Sequence, residues 1–233
     1  MRYLAAALIL AGASAWAPAQ AQNIDREIAE LTQRVEVLEG ARAVKKLQRA
    51  FGYYVDRGLW RDAADLFADN GTIEIGADGV YAGRERIREY LMRLHGGQEG
   101  LIYGQLNEWV TLQPAVTVSG DGMTATARWR DHGMTGQYKQ HAEWRDGIYE
   151  NDYVKEGGVW KIAAIRLHVN FVAPYERGWA RLGPGEGLTR SEASLAFPPD
   201  RESSGALAPF PATQIPPFQA PHPVTGRPVR GGR

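Results

Sequence analysis

YENDYVKEGGVWKIAAIRLHVNFV, residues 149–172, decides the fold class. Tyr149–Lys155 and Trp160–Val172 are rich in β-branched and aromatic side chains, and Glu156-Gly157-Gly158 between them is a hairpin turn. Working outward, Val110–Val118, Thr124–Arg130 and Tyr138–Trp144 have the same character, and Ser119-Gly120-Asp121-Gly122 supplies another hairpin turn. These runs predict a meander of long antiparallel strands.

Upstream of them the period changes from two to that of a helix. Val44, Leu47, Phe51, Tyr54 and Val55 form one stripe from Ala43 to about Gly58, and Leu59–Ala68 reads as a short amphipathic helix closed by Asp69-Asn70-Gly71. A short strand, Thr72–Ile75, a turn through Gly76-Ala77-Asp78-Gly79 and a helix from Arg84 to Leu94, stopped by Gly96-Gly97, complete the pattern. Helices first and strands afterwards is an α+β order, not a βαβ array, and no glycine-rich phosphate loop is present.

The two ends differ from this middle. Met1-Arg2-Tyr3, the apolar run Leu4–Trp16 and Ala17-Pro18-Ala19-Gln20-Ala21 match the charged, apolar and small-residue regions of a secretory signal, with cleavage expected near Ala21 and a periplasmic or secreted product. The run is shorter than the roughly 20 residues a membrane span needs. Ile24, Ile28, Leu31, Val35 and Leu38 then repeat at spacings of four and three, two heptads of a coiled-coil seam that Gly40 is expected to interrupt. That seam fits either a helix packed on its own domain or a contact in a homo-oligomer. Ten of the thirteen prolines fall in 184–228, which predicts an extended or disordered tail whose Phe197, Phe210, Ile215 and Phe218 can dock on a neighbour. The expected organisation is therefore a signal (1–21), a short coiled-coil-like helix (22–42), an α+β domain (43–182) and a proline-rich tail (183–233).

With 27 basic and 27 acidic residues the chain lacks the electrostatic footprint of a nucleic-acid binder. It has no cysteine, which excludes disulfides, thiolate catalysis and zinc-thiolate sites. No His-Glu-x-x-His pair or nucleophile elbow occurs, so no metal and no cofactor are expected, and the chemistry left is proton transfer.

Candidate residues follow from periodicity. Alternation puts Tyr149, Asn151 and Tyr153 on one strand face, able to hold a phenolic ring in a pocket or to serve as core aromatics with satisfied hydroxyls. Tyr53 can meet Asp56 across i,i+3 while Tyr54 points more to the core, and Asp56 is either a proton-moving group or the partner of a nearby base such as Arg57 or Lys45. Arg128, Arg130 and His132 alternate together, as an anion-binding set or as a solvated outer face. His168 shares its expected face with Trp160, Ile162, Ala164 and Arg166. Asp56, Tyr54, His132 and His168 are thus the proton-moving candidates, and Tyr53, Asn107, Arg128, Arg130, Tyr149, Asn151 and Tyr153 the substrate-binding ones.

Four strings, Gly52–Trp60, Leu66–Ile73, Tyr81–Ile87 and Gly158–Ile162, resemble the SnoaL-like branch of the nuclear-transport-factor-2-like superfamily over about residues 43–175. The resemblance implies a cone of helices against a curved antiparallel sheet with a deep pocket, a fold that serves isomerases, dehydratases, cyclases and non-catalytic proteins alike. The runs Gln113-Pro114, Arg128-Trp129-Arg130, Gly147–Glu156 and Ala173-Pro174-Tyr175 are similar to a sphingomonad group that includes cofactor-independent lyases deformylating diarylpropanes. Asp56 falls where scytalone dehydratase has a carboxylate oriented toward a catalytic histidine, but the two dehydratase tyrosines fall at Val55 and Ile75, its asparagine at Tyr149, and the ketosteroid isomerase base also at Ile75. The expectation is a cofactor-free lyase acting on a small hydrophobic aromatic alcohol, by loss of formaldehyde or water. A periplasmic small-molecule-binding protein is the alternative, and an oligomer with a structural role is a third.

Overall fold

The strand-rich stretches resolve into long β-ribbons because their side chains alternate between a packed and a wetter face. The computed structural model describes residues 16–204, 210–212, 216–218 and 220–229, with side chains from residue 22 onward; the expected signal falls largely outside the described residues, as does Ile215. Helix α1 is Trp16–Asp56, α2 is Trp60–Asp65 and α3 is Arg84–Leu94. The strands are β1 Phe67–Ile75, β2 Val80–Ala82, β3 Gln105–Val118, β4 Thr124–Gln137, β5 His141–Glu156 and β6 Val159–Pro174, followed by a 3-10 turn Trp179–Arg181 and a short helix α4 Glu192–Ala196. They form one sheet in the order β2-β1-β6-β5-β4-β3, antiparallel except where β1 runs parallel to β6.

Three expected boundaries are corrected. Phe67 and Ala68, expected to end a helix, and Asp69-Asn70-Gly71, expected to close it, are the first residues of β1, and α2 stops at Asp65. Tyr138–Trp144 and Tyr149–Lys155 belong to one strand, β5, with Tyr138 in the turn before it. Gly147 does not break the ribbon, because a Cβ there would lie 2.7 Å from the His168 carbonyl; the glycine lets the two strands approach. Gly40 likewise leaves α1 unbroken. It is buried against Trp160, whose ring would be 3.0 Å from an added Cβ, so here the small residue serves helix-on-sheet contact. The helix ends where Gly58 turns left-handed, φ +66°, against Gly100.

Phe51, Val55, Trp60, Phe67, Ile73, Tyr81, Ile87, Tyr90, Leu91, Trp109, Trp129, Tyr149, Tyr153, Ile162, Ile165 and Leu167 fill the space between the helices and the concave face of the sheet. Behind them Gln48 on α1 accepts hydrogen bonds from Asn151 Nδ2 (3.0 Å) and the Tyr153 hydroxyl (2.8 Å), and Trp129 Nε1 donates to that same hydroxyl (3.2 Å). The described part of the tail packs on its own domain. Phe197 stacks on Tyr81 beneath Arg86, Arg201 bridges to Val80, Ser203 and Ser204 donate to Glu74, and Phe210 meets Phe171 and Trp179. Among the described residues no helix is long and apolar enough to cross a membrane.

Candidate functional site

Helix α3 and strands β3, β4 and β5 converge where the cone opens. His95 closes α3, and its imidazole lies flat on Trp60, ring centroids 5.2 Å apart at 9°, and edge-on to Trp109 at 5.1 Å. These rings exclude water from it. Its Nε2 is buried without a hydrogen-bond partner among the described residues. Burial, and then the Arg145 charge, push its pKa down to about 3, so the ring is neutral at pH 7.

β3 supplies the next wall. Trp109 Nε1 donates to Asn107 Oδ1 (3.0 Å), and Asn107 Nδ2 donates to the Val55 carbonyl (3.0 Å), which ties the strand to the end of α1. Asp56, the last residue of that helix, accepts the Trp109 backbone N–H at 2.7 Å. Burial raises the Asp56 pKa and outweighs the lowering effect of that bond. Trp109 therefore touches both Asp56, through its backbone, and His95, through its ring.

β4 and β5 supply charge. Asp131 accepts from Arg145 Nε at 2.6 Å and Nη2 at 3.0 Å, and the guanidinium stands 4.0 Å from the Trp109 ring centroid. The Asp131 side chain is wholly buried and that of Arg145 is 12% exposed, so each neutralises the other away from water. Gly133 lies opposite Arg145 in the ladder, and a Cβ there would come within 3.1 Å of the guanidinium. Tyr149 is fully buried with its hydroxyl directed at Asp131, and burial followed by the Asp131 charge holds its pKa well above 10.

His95, Asn107, Trp109, Glu143 and Arg145 line a cavity of about 990 Å³, with Tyr149 and Asp131 buried behind Arg145. The cavity is large enough for a drug-sized molecule. Its mouth is framed by Leu188, Arg190 and Ser191 of the C-terminal segment. That segment is pinned by Asp78, which accepts from Ser191 N and Oγ, both at 2.6 Å, and from the Tyr90 hydroxyl at 2.7 Å. The chemical capacity of the site is proton transfer at a neutral imidazole beside a fixed cation.

The structure sorts the expected residues into three groups. Asn107 lines the cavity, Tyr149 is buried beside the Asp131–Arg145 pair behind it, and Asp56 sits half-buried at the strand junction. Of the two readings of the β5 face, Asn151 and Tyr153 follow that of core residues with satisfied polar groups, committed to Gln48 in the packed interior, while Tyr54 packs half-buried against the core and Tyr53 is 70% exposed, away from the cavity. Arg128, Arg130, His132 and His168 are on the outer face. Arg128 pairs with Glu150 and donates to the Pro216 and Pro217 carbonyls, Arg130 pairs with Asp146, and His132 lies against Trp144. His168 does not share a face with Ile162, because register shifts along β6 put Ile162 opposite buried Tyr153 and Ala164 opposite Asp152.

His95, Asp131 and Arg145 were not among the expected residues. The histidine was visible as a lone polar aromatic between the end of a helix and Gly96-Gly97. Asp131 shares the parity of buried Ala127 and Trp129 along β4, a buried-charge position that the alternation alone could have flagged. Among the described residues no group of three His, Asp or Glu side chains is placed to hold a metal ion.

Residues 36–166 match the SnoaL-like domain family. No curated protein matches the chain. Among solved structures, a type 2 hexachlorocyclohexane dehydrochlorinase (LinA) superposes with a TM-score of 0.52 at 16% identity, covering 60% of this chain and 92% of that one. A candidate scytalone dehydratase from Novosphingobium aromaticivorans gives 0.51 at 18% identity, covering 59% and 89%. A candidate aromatic ring hydroxylase from the same organism gives 0.50 at 19%, covering 59% and 94%. At these identities the likeness is one of fold.

Proposed function

Since this chain belongs to the SnoaL-like domain family, we propose that it is a cofactor-independent lyase acting on a hydrophobic phenolic or aromatic alcohol, exported from the cytoplasm by the N-terminal signal. The observation that carries this reading is His95, which lines the cavity and whose buried Nε2 has no hydrogen-bond partner among the described residues. A neutral imidazole needs no prior deprotonation to accept a proton from a substrate C–H or O–H. Its low basicity is relieved once a substrate places developing negative charge beside it, and Arg145, which also lines the cavity, is at hand to stabilise that charge. The Trp109 ring in the cavity wall suits a phenolic ring. Water leaves in an elimination, or formaldehyde in a carbon–carbon cleavage.

The low His95 pKa also favours a second reading, a non-catalytic small-molecule-binding protein, because the same burial makes the ring a weak base. One experiment separates the two. The purified protein is incubated without added cofactor with diarylpropanes and related phenolic alcohols, and products are followed by mass. Loss of formaldehyde or water, reduced about a hundred- to ten-thousandfold in His95→Gln, is the expected result. Turnover unchanged in that variant sinks the role of His95, and tight binding without product establishes the second reading.

A further inference from the structure

α1 carries two stripes. Val37, Gly40, Val44, Gln48, Phe51 and Val55 turn into the chain's own cone, the last five of them fully or almost fully buried. Ile24, Ile28, Leu31, Val35 and Leu38 are 56%, 56%, 50%, 51% and 66% exposed. At roughly 100° per residue the second stripe lies on the opposite side of the helix from the first. Gln33, on the domain's side, donates to the Gly120 carbonyl. The domain thus grips one side of α1 and leaves a contiguous apolar seam in water, the kind of patch that marks an interaction surface.

We propose that this seam forms a parallel, two-stranded coiled coil with a second copy of this chain. Ile28 and Val35 occupy heptad position a, and Ile24, Leu31 and Leu38 occupy d. β-branched residues at a with leucine at d favour two parallel strands. Parallel alignment in register sets each of the five residues opposite its own copy.

Charge selects the same arrangement. Arg34 at position g faces Glu39 of the partner subunit at position e, and the twofold axis repeats the pair. Among the described residues neither side chain has an ion-pair partner within its own chain. An antiparallel pair that layers Ile28, Leu31, Val35 and Leu38 instead sets Arg34 against Arg34 of the partner subunit and Asp25 against Glu39 of the partner subunit, like charges at both contacts. Because the cone-facing stripe is opposite the seam, two domains fit on the outer sides of the coil.

Sedimentation equilibrium of the purified chain tests this at micromolar concentration. The wild-type chain is expected to be a dimer, and the doubly substituted Leu31→Asp, Val35→Asp chain a monomer with unchanged near-ultraviolet circular dichroism. Arg34→Glu is expected to weaken dimerisation on the order of tenfold at low salt, since two symmetry-related pairs turn from attraction to repulsion. Adding Glu39→Arg to it restores the wild-type constant. A monomeric wild-type chain, a dimer that survives the aspartates, a trimer or tetramer, or failure of the charge swap to restore pairing each overturns the proposal.

Discussion

Asp131→Asn removes one charge from a pair that is almost entirely out of water. The asparagine keeps the shape and one acceptor, so the loss is not of packing but of the countercharge to Arg145, which remains fixed on the Trp109 ring by two strands and a glycine. Stranding one member of a buried ion pair costs about 3–5 kcal/mol. With urea slopes of about 1–3 kcal/mol per molar for domains of this size, the unfolding midpoint should fall by about 2 M. The companion variant Asp131→Leu, Arg145→Met removes both charges and leaves a thioether for the Trp109 ring, and it should unfold within about 1 kcal/mol of wild type. Both are measured by urea denaturation at one fixed protein concentration, because the proposed pairing through α1 would make the midpoint concentration-dependent. A single variant within about 1 kcal/mol of wild type, or a double variant as unstable as the single one, would refute the account of the pair as mutually dependent charges.

Acid should destabilise the protein partly through His95. Its folded pKa is depressed from 6.5 to about 3, so its contribution is complete above 6.5 and is lost as the pH falls through the window between those values. His95→Gln should flatten the plot of stability against pH over that window relative to wild type, and an unchanged slope would count against a buried neutral imidazole. In base the raised pKa values of Tyr81 (about 12), Tyr90 and Tyr149 keep stability level to about pH 10 and reduce it above, as the unfolded chain ionises first; urea midpoints on both sides of pH 10 check this. Gln48→Leu removes the acceptor shared by Asn151 and Tyr153 and should cost about 1–3 kcal/mol for each group left unpaired, read from thermal melts. A loss no larger than that of an exposed-site control would show that the two groups find other partners.

Much of the architecture was legible because it rests on short-range signals. The Glu156-Gly157-Gly158 turn and the helix that stops before Gly96-Gly97 are set by local backbone chemistry, and they recur in the structure, whereas the strand expected at Thr72–Ile75 is the end of a longer β1 that starts at Phe67. The parity of Tyr149, Asn151 and Tyr153 also holds, since all three are buried. What parity could not convey is which buried polar group meets solvent-accessible space and which meets another chain segment: Asn151 is separated from Gln48 by 103 residues, a pairing no periodicity encodes. Along β6 the rule itself fails, because each register shift inserts a residue and exchanges the faces beyond it, which is why His168 lies outside. His95 escaped a search confined to strands, and Asp131 and Arg145 become a site only once two antiparallel strands bring them together across the ladder.

The doorway of the cavity is built from Leu188, Arg190 and Ser191, which lie downstream of every strand. During synthesis, therefore, the cone can close its sheet, bury its aromatic interior and form the Asp131–Arg145 pair while the entrance is still wide, and only then does Ser191 reach Asp78. Vestibule and inner chamber are in this sense separate inheritances. Sequence change among residues 186–192 can remould what is admitted without disturbing the rings around His95.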